Sequence, residues 1–289
     1  MDVSTRLTVS ILVNAVITVV ELIIGLLTAS MLLISDSIHN LSDTLSLGIS
    51  YVARLIARRE ASTHYTFGYR RAEVIAAFFN STLLLVVSVL VIAESLSKLF
   101  HPSPIDSSLV VVTGCVALVA NTISTLLLRR PAGESLNIRS AYLHLFSDAL
   151  SSVVVVISAT LIRYTGLYVI DPLASLAIMA YILSETMDVI RKSARVLMEA
   201  APISLEDIRR EIESVPGVIN AHHCHAWQLG EKDILVECHV EVDNMPLKEA
   251  QKIIDSIENS LKRLGVTHTT IQLETGRCDN KSLIGGCGS

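Results

Sequence analysis

Two pairs of side chains hold most of the chemistry in this 289-residue sequence. His39 and Asp43 are four positions apart, and so are His144 and Asp148. Residues four apart on a helix lie on one face, one turn above the other, so each pair offers an imidazole nitrogen and a carboxylate oxygen to the same side. Two such helices facing each other can surround one ion with two nitrogens and two oxygens. Zinc accepts that tetrahedral donor set, whereas magnesium, calcium and manganese favour all-oxygen cages with more ligands. Cadmium, cobalt, nickel and iron(II) remain compatible, because selectivity depends on geometry and availability as well as on ligand type.

The pairs belong to an internal repeat. A shift of 105 residues superposes Ser35, His39, Ser42, Asp43, Leu45 and Ser46 on Ser140, His144, Ser147, Asp148, Leu150 and Ser151, a duplication of the kind found in transporters. One pair alone reads equally well as a polar bond between helices; two pairs in register favour a shared ion site. Asp36 and Asn40 either line an access path, hold the ligands by hydrogen bonds, or pack. Glu21, Glu94, Asn14, Asn80 and Asn121 read as helix-helix bonds rather than ligands, and Asp171 before Pro172 as an ordinary helix start.

The elements that position these groups must lie in lipid. The chain is 51% apolar and only 18% charged, with a formal charge of −5 and a mean hydropathy of +0.54; soluble domains carry about 25% charged residues. Six stretches reach the roughly 20 apolar residues that a membrane helix needs: about 7–29, 32–57, 72–99, 107–128, 139–163 and 168–191. The first lacks the small-residue cleavage site of a signal peptide and reads as a retained span. Arg54, Arg58, Arg59, Arg70, Arg71, Arg129, Arg130, Arg139, Arg191, Lys192 and Arg195 fall on one side, against Lys98 and Arg163 on the other. Short cytoplasmic loops accumulate such residues, so both termini are expected in the cytosol.

At this point the sequence resembles a known family. The two H-x-x-x-D pairs, the Thr66-Phe67-Gly68-Tyr69-Arg70-Arg71-Ala72-Glu73 segment and Asp171-Pro172-Leu173-Ala174-Ser175 are similar to the cation diffusion facilitators, in their zinc-transporting branch, over about residues 5–275. The resemblance implies a homodimeric zinc/proton antiporter with His39, Asp43, His144 and Asp148 as the transport site, moving metal out of the cytosol by alternating access. Histidine rather than aspartate at position 39 favours zinc within that family.

Charge marks a second body. Residues 196–289 hold 9 basic and 15 acidic side chains, a net −6, against +1 for residues 1–195. Here the periods change: a helix over 204–214 with Ser204 as N-cap and Asp207 completing a capping box, strands over Val218–Leu229 and Ile234–Val242, a helix over 247–264 ending at Gly265, and a strand over Thr267–Glu274. The order αββαβ suits a small sheet with both helices on one face, similar to the ferredoxin-like cytosolic domain of the family. The expected organisation is thus an all-α six-helix transmembrane domain over 1–200, a cytosolic α+β metal-binding and dimerisation domain over 201–276, and a Cys-containing tail over 277–289.

His222, His223, Cys224 and His225 sit on one of these strands, and Cys238 and His239 on its neighbour. Antiparallel pairing is expected to bring His225 near His239, with Glu274 approaching from the third strand and Cys278 and Cys287 on the tail. Cytosolic thiols stay reduced and available to metal. The resemblance implies regulatory zinc ligands at His225, His239 and Glu274, with His222, Cys278 and Cys287 as further candidates. Gln251 and Gln272 replace histidines of a two-zinc site in bacterial relatives, and Ala61 and Tyr69 leave His64 alone at another family site, so neither is expected.

The expected partners are a second copy, the lipid bilayer, divalent metal ions and protons, without nucleic acid. The expected place is the cell membrane. An exporter of cadmium, iron(II), cobalt, nickel or manganese is the nearest alternative. A membrane metal sensor leaves the buried pairs unexplained. An intramembrane zinc hydrolase would need three ligands, an open water position and a nearby glutamate; H-E-x-x-H is absent, and no enzyme is expected. No G-x-x-x-x-G-K-[ST] loop supports ATP-driven transport.

Overall fold

Hydropathy and helix bounds coincide closely in the apolar part. In the computed structural model, which describes residues 3–129, 136–230 and 233–285, it forms α1 (Val3–Thr28), α2 (Met31–Ala57), α3 (Ala72–Phe100), α4 (Ser107–Arg129), α5 (Leu136–Thr165) and α6 (Ile170–Leu197). Five of them are long and apolar enough to cross a bilayer: α3, α4, α6, and the Val9–Thr28 and Tyr142–Thr165 parts of α1 and α5. The expected sixth span, α2, has the length at 27 residues, but Asp36, His39, Asp43 and Arg54 make it too polar to qualify on composition.

Two compact units result, Met1–Ile49 with Phe79–Val189, and Ser50–Phe78 with Ile190–Ser289. The first buries many polar side chains beside its apolar clusters and exposes large apolar ones. Ser10, Ser30, Ser35, Ser88, Ser95, Ser152 and Ser175 are fully buried, while Leu27, Phe79, Leu90 and Phe100 are exposed. With lipid as solvent, helices associate through close packing and small polar side chains rather than by hiding apolar surface. The Ser175 hydroxyl lies 2.6 Å from that of Ser35 and 2.9 Å from that of Ser95, joining α6, α2 and α3. On α4, Gly114 lets α5 approach so closely that a Cβ there would stand 3.0 Å from Val155.

The α1–α2 corner fixes how α2 enters this unit. Ala29 adopts a left-handed φ of 54°, and Ser30 N–H donates back to the Gly25 carbonyl at 3.0 Å, which ends α1. Lys98 Nζ donates to the Ala29 carbonyl at 2.6 Å. Asp171, expected only to begin α6, instead reaches across to the start of α2, where its carboxylate accepts from Ser30 Oγ at 2.5 Å, Met31 N–H at 2.7 Å and Leu32 N–H at 3.4 Å. The sequence cannot show this, because the capping residue is about 140 positions away from the helix it caps.

The second unit contains α7 (Leu205–Glu213), β1 (Val218–Gln228), β2 (Ile234–Val242), α8 (Leu247–Arg263) and β3 (Val266–Glu274), in the expected αββαβ order. The sheet order is β1-β2-β3, with β1 antiparallel and β3 parallel to β2. Ile208 and Ile212 of α7 and Ile257 and Leu261 of α8 share one core with Val236, Val240 and Ala221 of the sheet. Ser204 occupies the N-cap position without a side-chain cap bond, so the capping box is not formed. Arg70 pairs with Asp233, and Arg71 with Glu199 at 2.7 Å, tying the Ser50–Phe78 segment into this unit.

A test of the long-range cap follows. Replacing a capping side chain costs about 0.5–2 kcal/mol, and Asp171 serves three donors at once. Asp171→Ala is expected to lower the thermal unfolding midpoint in detergent by an amount equivalent to about 2 kcal/mol, whereas Ser204→Ala leaves it unchanged. Equal midpoints for Asp171→Ala and the wild type would remove the capping role.

Candidate metal centres

The first unit gathers the four repeat residues. His39 Nε2 and His144 Nε2 both stand 3.6 Å from Asp43 Oδ2, and His144 Nε2 stands 3.8 Å from Asp148 Oδ2. Hydrogen bonds between such groups fall at about 2.7–3.2 Å, so these groups are not paired with one another in that way. Zinc–ligand bonds of about 2.0–2.2 Å for nitrogen and oxygen place the corners of a tetrahedron roughly 3.3–3.6 Å apart. The observed separations lie close to those edges, and Asp43 Oδ2 and Asp148 Oδ1 are buried without a hydrogen-bond partner. The three separations run as a chain from His39 through Asp43 and His144 to Asp148.

Neighbouring groups hold the ligands. Asn14 Nδ2 donates to Asp148 Oδ2 at 3.4 Å, Asn121 Nδ2 to Ser152 Oγ at 3.1 Å, and Ser152 Oγ to the Asp148 carbonyl at 3.0 Å. Ser151 donates to Asp36, joining α5 to α2, and Asn80 to Ser46, joining α3 to α2. Asp36 is fully buried, which fits a supporting rather than an access role. His144, with its side chain 38% exposed, and Asp43 at 31% form the open side of the group, while Asp148 is closed off.

The second unit brings together a different set from the one that simple pairing suggests. β1 bulges at His223, whose φ is +46°, so that two residues of β1 oppose one of β2. The ladder consequently sets His222 opposite His239, and His225 opposite Glu237. His225 instead lines a cavity of about 740 Å³ with Tyr65, Phe67, Trp227 and Glu237. His222, His239, Glu274 and Cys278 converge, each offering one donor atom within 4.8 Å of the others. Glu274 Oε1 lies 2.9 Å from His222 Nε2, and Oε2 lies 3.4 Å from His239 Nδ1 and 3.5 Å from Cys278 Sγ. Cys287 lies outside the described residues.

A chain of bonds from α7 aims one of these histidines. Asn220 Nδ2 donates to Glu213 Oε1 at 3.3 Å, which turns its Oδ1 toward His222 Nδ1 at 3.0 Å. With Nδ1–H donating to that oxygen, Nε2 would be left to bind a metal in the cluster, the arrangement by which outer groups orient a metal-binding imidazole. Burial holds the His239 pKa below its ordinary value, opposed by the Glu274 carboxylate and reinforced by His223, His222 and Arg277. That direction favours the neutral ring, the form a ligand needs. The Cys224 and Cys238 sulfurs meet across β1 and β2 within the core.

Comparison with known proteins decides the family. Residues 7–198 match the cation efflux transmembrane domain and residues 200–276 the cation efflux protein cytoplasmic domain. The chain belongs to the cation efflux family. The chain is 34% identical over 271 residues to the cadmium, cobalt and zinc/H(+)-K(+) antiporter of Bacillus subtilis, covering 92% of this chain and 87% of that protein. It is 33% identical over 271 residues to the zinc transporter ZitB of Escherichia coli, covering 92% and 86%, and 34% identical over 263 residues to the metal cation efflux system protein CzcD of Cupriavidus metallidurans, covering 90% and 83%. These relatives of the cation efflux family are transporters, and the chain is accordingly an integral membrane protein.

Sequence reasoning missed Asn220 and the capping role of Asp171. An asparagine two positions before a histidine on a strand shares its face, which is the signal that pointed to Asn220. Asn220→Leu is expected to weaken zinc binding at the cytosolic cluster about tenfold or more, measured by competition with a chromophoric chelator. Unchanged affinity would show that His222 needs no such aim.

Proposed function

We propose that this protein exports divalent transition-metal cations, zinc foremost, from the cytosol in exchange for protons. The observation that carries the reading is the chain of three 3.6–3.8 Å separations that links His39, Asp43, His144 and Asp148, each too long for a hydrogen bond and near one edge of a zinc tetrahedron. Ionisable groups in lipid are costly, by about 2.5–3.5 kcal/mol on insertion scales, and a bound cation offsets that cost. The names of the relatives support zinc, with cadmium and cobalt beside it. Nickel, iron(II) and manganese are further candidates, manganese the least suited to two imidazoles.

Exchange follows from the ligands themselves. Zinc binds neutral imidazole and ionised carboxylate, so loading expels protons and proton return expels zinc. Imidazole ordinarily titrates near ~6.5, within the physiological range. In this reading α2 is the sixth span, sheltered from lipid by its neighbours, and both termini are cytosolic in the cell membrane. The transport domain covers 1–200 and the cytosolic domain 201–276, followed by the 277–289 tail, and the cytosolic domain pairs two copies into a homodimer. Zinc held by His222, His239, Glu274 and Cys278 favours transport by ordering that domain.

Purified protein in liposomes with an imposed pH gradient is expected to move zinc, and Asp148→Ala to reduce the rate to that of empty vesicles. Transport without a pH response would overturn the coupling. At the cytosolic cluster, His222→Ala with His239→Ala is expected to raise the zinc concentration needed for half-maximal transport, while His225→Ala leaves it in place. The reverse pattern would return His225 to the site.

A further inference from the structure

We propose that the cavity of about 740 Å³ in the second unit is a binding site for a small organic cation, an ammonium group carried on an apolar body. Its floor is the sheet face that α7 and α8 leave uncovered. His225 and Trp227 of β1 are two apart and share that face, and the ladder sets Glu237 of β2 opposite His225. Ala226 and Val236 between them belong to the core shared with the two helices. The roof is the 65–72 segment, a motif of the sequence that the transport site does not use. Gly68 turns this segment at a φ of +71°, where a Cβ would stand 3.2 Å from the Arg59 carbonyl. The roof is anchored to the rest of the unit by the Arg70–Asp233 pair, by Arg71 to Glu199 at 2.7 Å, and by the Phe67 ring edge-on to His268 at 6.4 Å.

The lining selects the class of ligand. Aromatic residues make up 4% of the chain, yet Tyr65, Phe67, Tyr69 and Trp227, the single tryptophan, all line this one cavity. Aromatic faces carry negative charge in their quadrupole and attract cations, most of all a methylated ammonium enclosed by several rings. Both guanidinium groups of the wall are already engaged by Asp233 and Glu199. Glu237 is exposed and makes no hydrogen bond or ion pair among the described residues, so the charge left for a ligand is negative. A transition metal is poorly served, because the described residues bring no third metal donor to His225 and Glu237. The volume falls within the roughly 300–1,000 Å³ of small-molecule sites. A cation held there touches roof and floor together and braces the joint between α2 and α3 against the sheet.

Trp227 reports on the cavity directly, since no other tryptophan contributes to the emission. Full-length protein in a neutral maltoside detergent is titrated with choline, with spermidine, and with the uncharged alcohol in which a tert-butyl group replaces the trimethylammonium of choline. One or both amines are expected to change the Trp227 emission saturably, while the alcohol needs an about tenfold higher concentration or more. Glu237→Gln and Tyr65→Ala, both at exposed positions, are each expected to raise the half-saturating amine concentration about tenfold, and either variant serves should the other fail to fold. No saturable response to either amine, an equal response to the alcohol, or half-saturation unmoved by these substitutions would overturn the site.

Discussion

The first N–H groups of α2 cannot be left without acceptors inside a bilayer, where no water is at hand to satisfy them. Asp171 supplies the acceptors from another helix, and its charge suits the positive end of the α2 dipole. The contact does more than close an open helix end. By accepting from Ser30, Met31 and Leu32 together, it fixes both the height and the rotation of α2. Rotation is what matters for the rest, because Asp36, His39, Asn40 and Asp43 lie at helical spacing on one face. Once that face turns toward α5, Asp36 meets Ser151 and Asp43 meets His144. A rotation by one residue, about 100°, would aim these groups elsewhere.

Within that frame the ligands are held apart rather than paired. Asn14 of α1 donates to Asp148 Oδ2, the oxygen that also faces His144, and the Ser152 hydroxyl of α5 holds the Asp148 backbone carbonyl. A site built from two helices also has a way to open: a small shift of one helix separates two ligands from the other two. Four ligands from a single rigid element would bind as well but would have no such means of release. In the proposed transport cycle the internal repeat would serve release as well as coordination, since each half brings one pair to the site.

Most of this architecture was legible in the sequence because it depends on local pattern. The apolar lengths gave helix bounds within a few residues, and the alternation after Ile203 gave the αββαβ order. Spacing and repetition singled out His39, Asp43, His144 and Asp148, and the structure sets Asp43 3.6 Å from both histidines. What escaped depends on contacts between distant positions. The reach of Asp171 across some 140 positions leaves no local trace, and Ser204 has the right residue type for a cap it does not make. The bulge at His223 is a backbone choice that an uninterrupted strand pattern cannot reveal, and it decides that His222 rather than His225 meets His239. α2 shows the converse case: the polar residues that single it out as a site candidate are the ones that lower its hydropathy.

The two clusters differ in ways that suit different tasks. In the membrane site His144 and Asp43 are partly exposed, and its donors are nitrogen and oxygen, so metal can leave when a helix moves or protons return. In the cytosolic cluster His222 and Glu274 are almost wholly buried, with side chains 1% and 4% exposed, and a sulfur stands beside them. Burial slows exchange with water, and thiolate binds zinc with greater affinity than carboxylate does. A carrier built like the second cluster would hold its cargo too long to turn over. A sensor built like the first would empty whenever transport drew on it. In the proposed exporter, separate sites with separate donor chemistry would let one chain register the metal level while it lowers it.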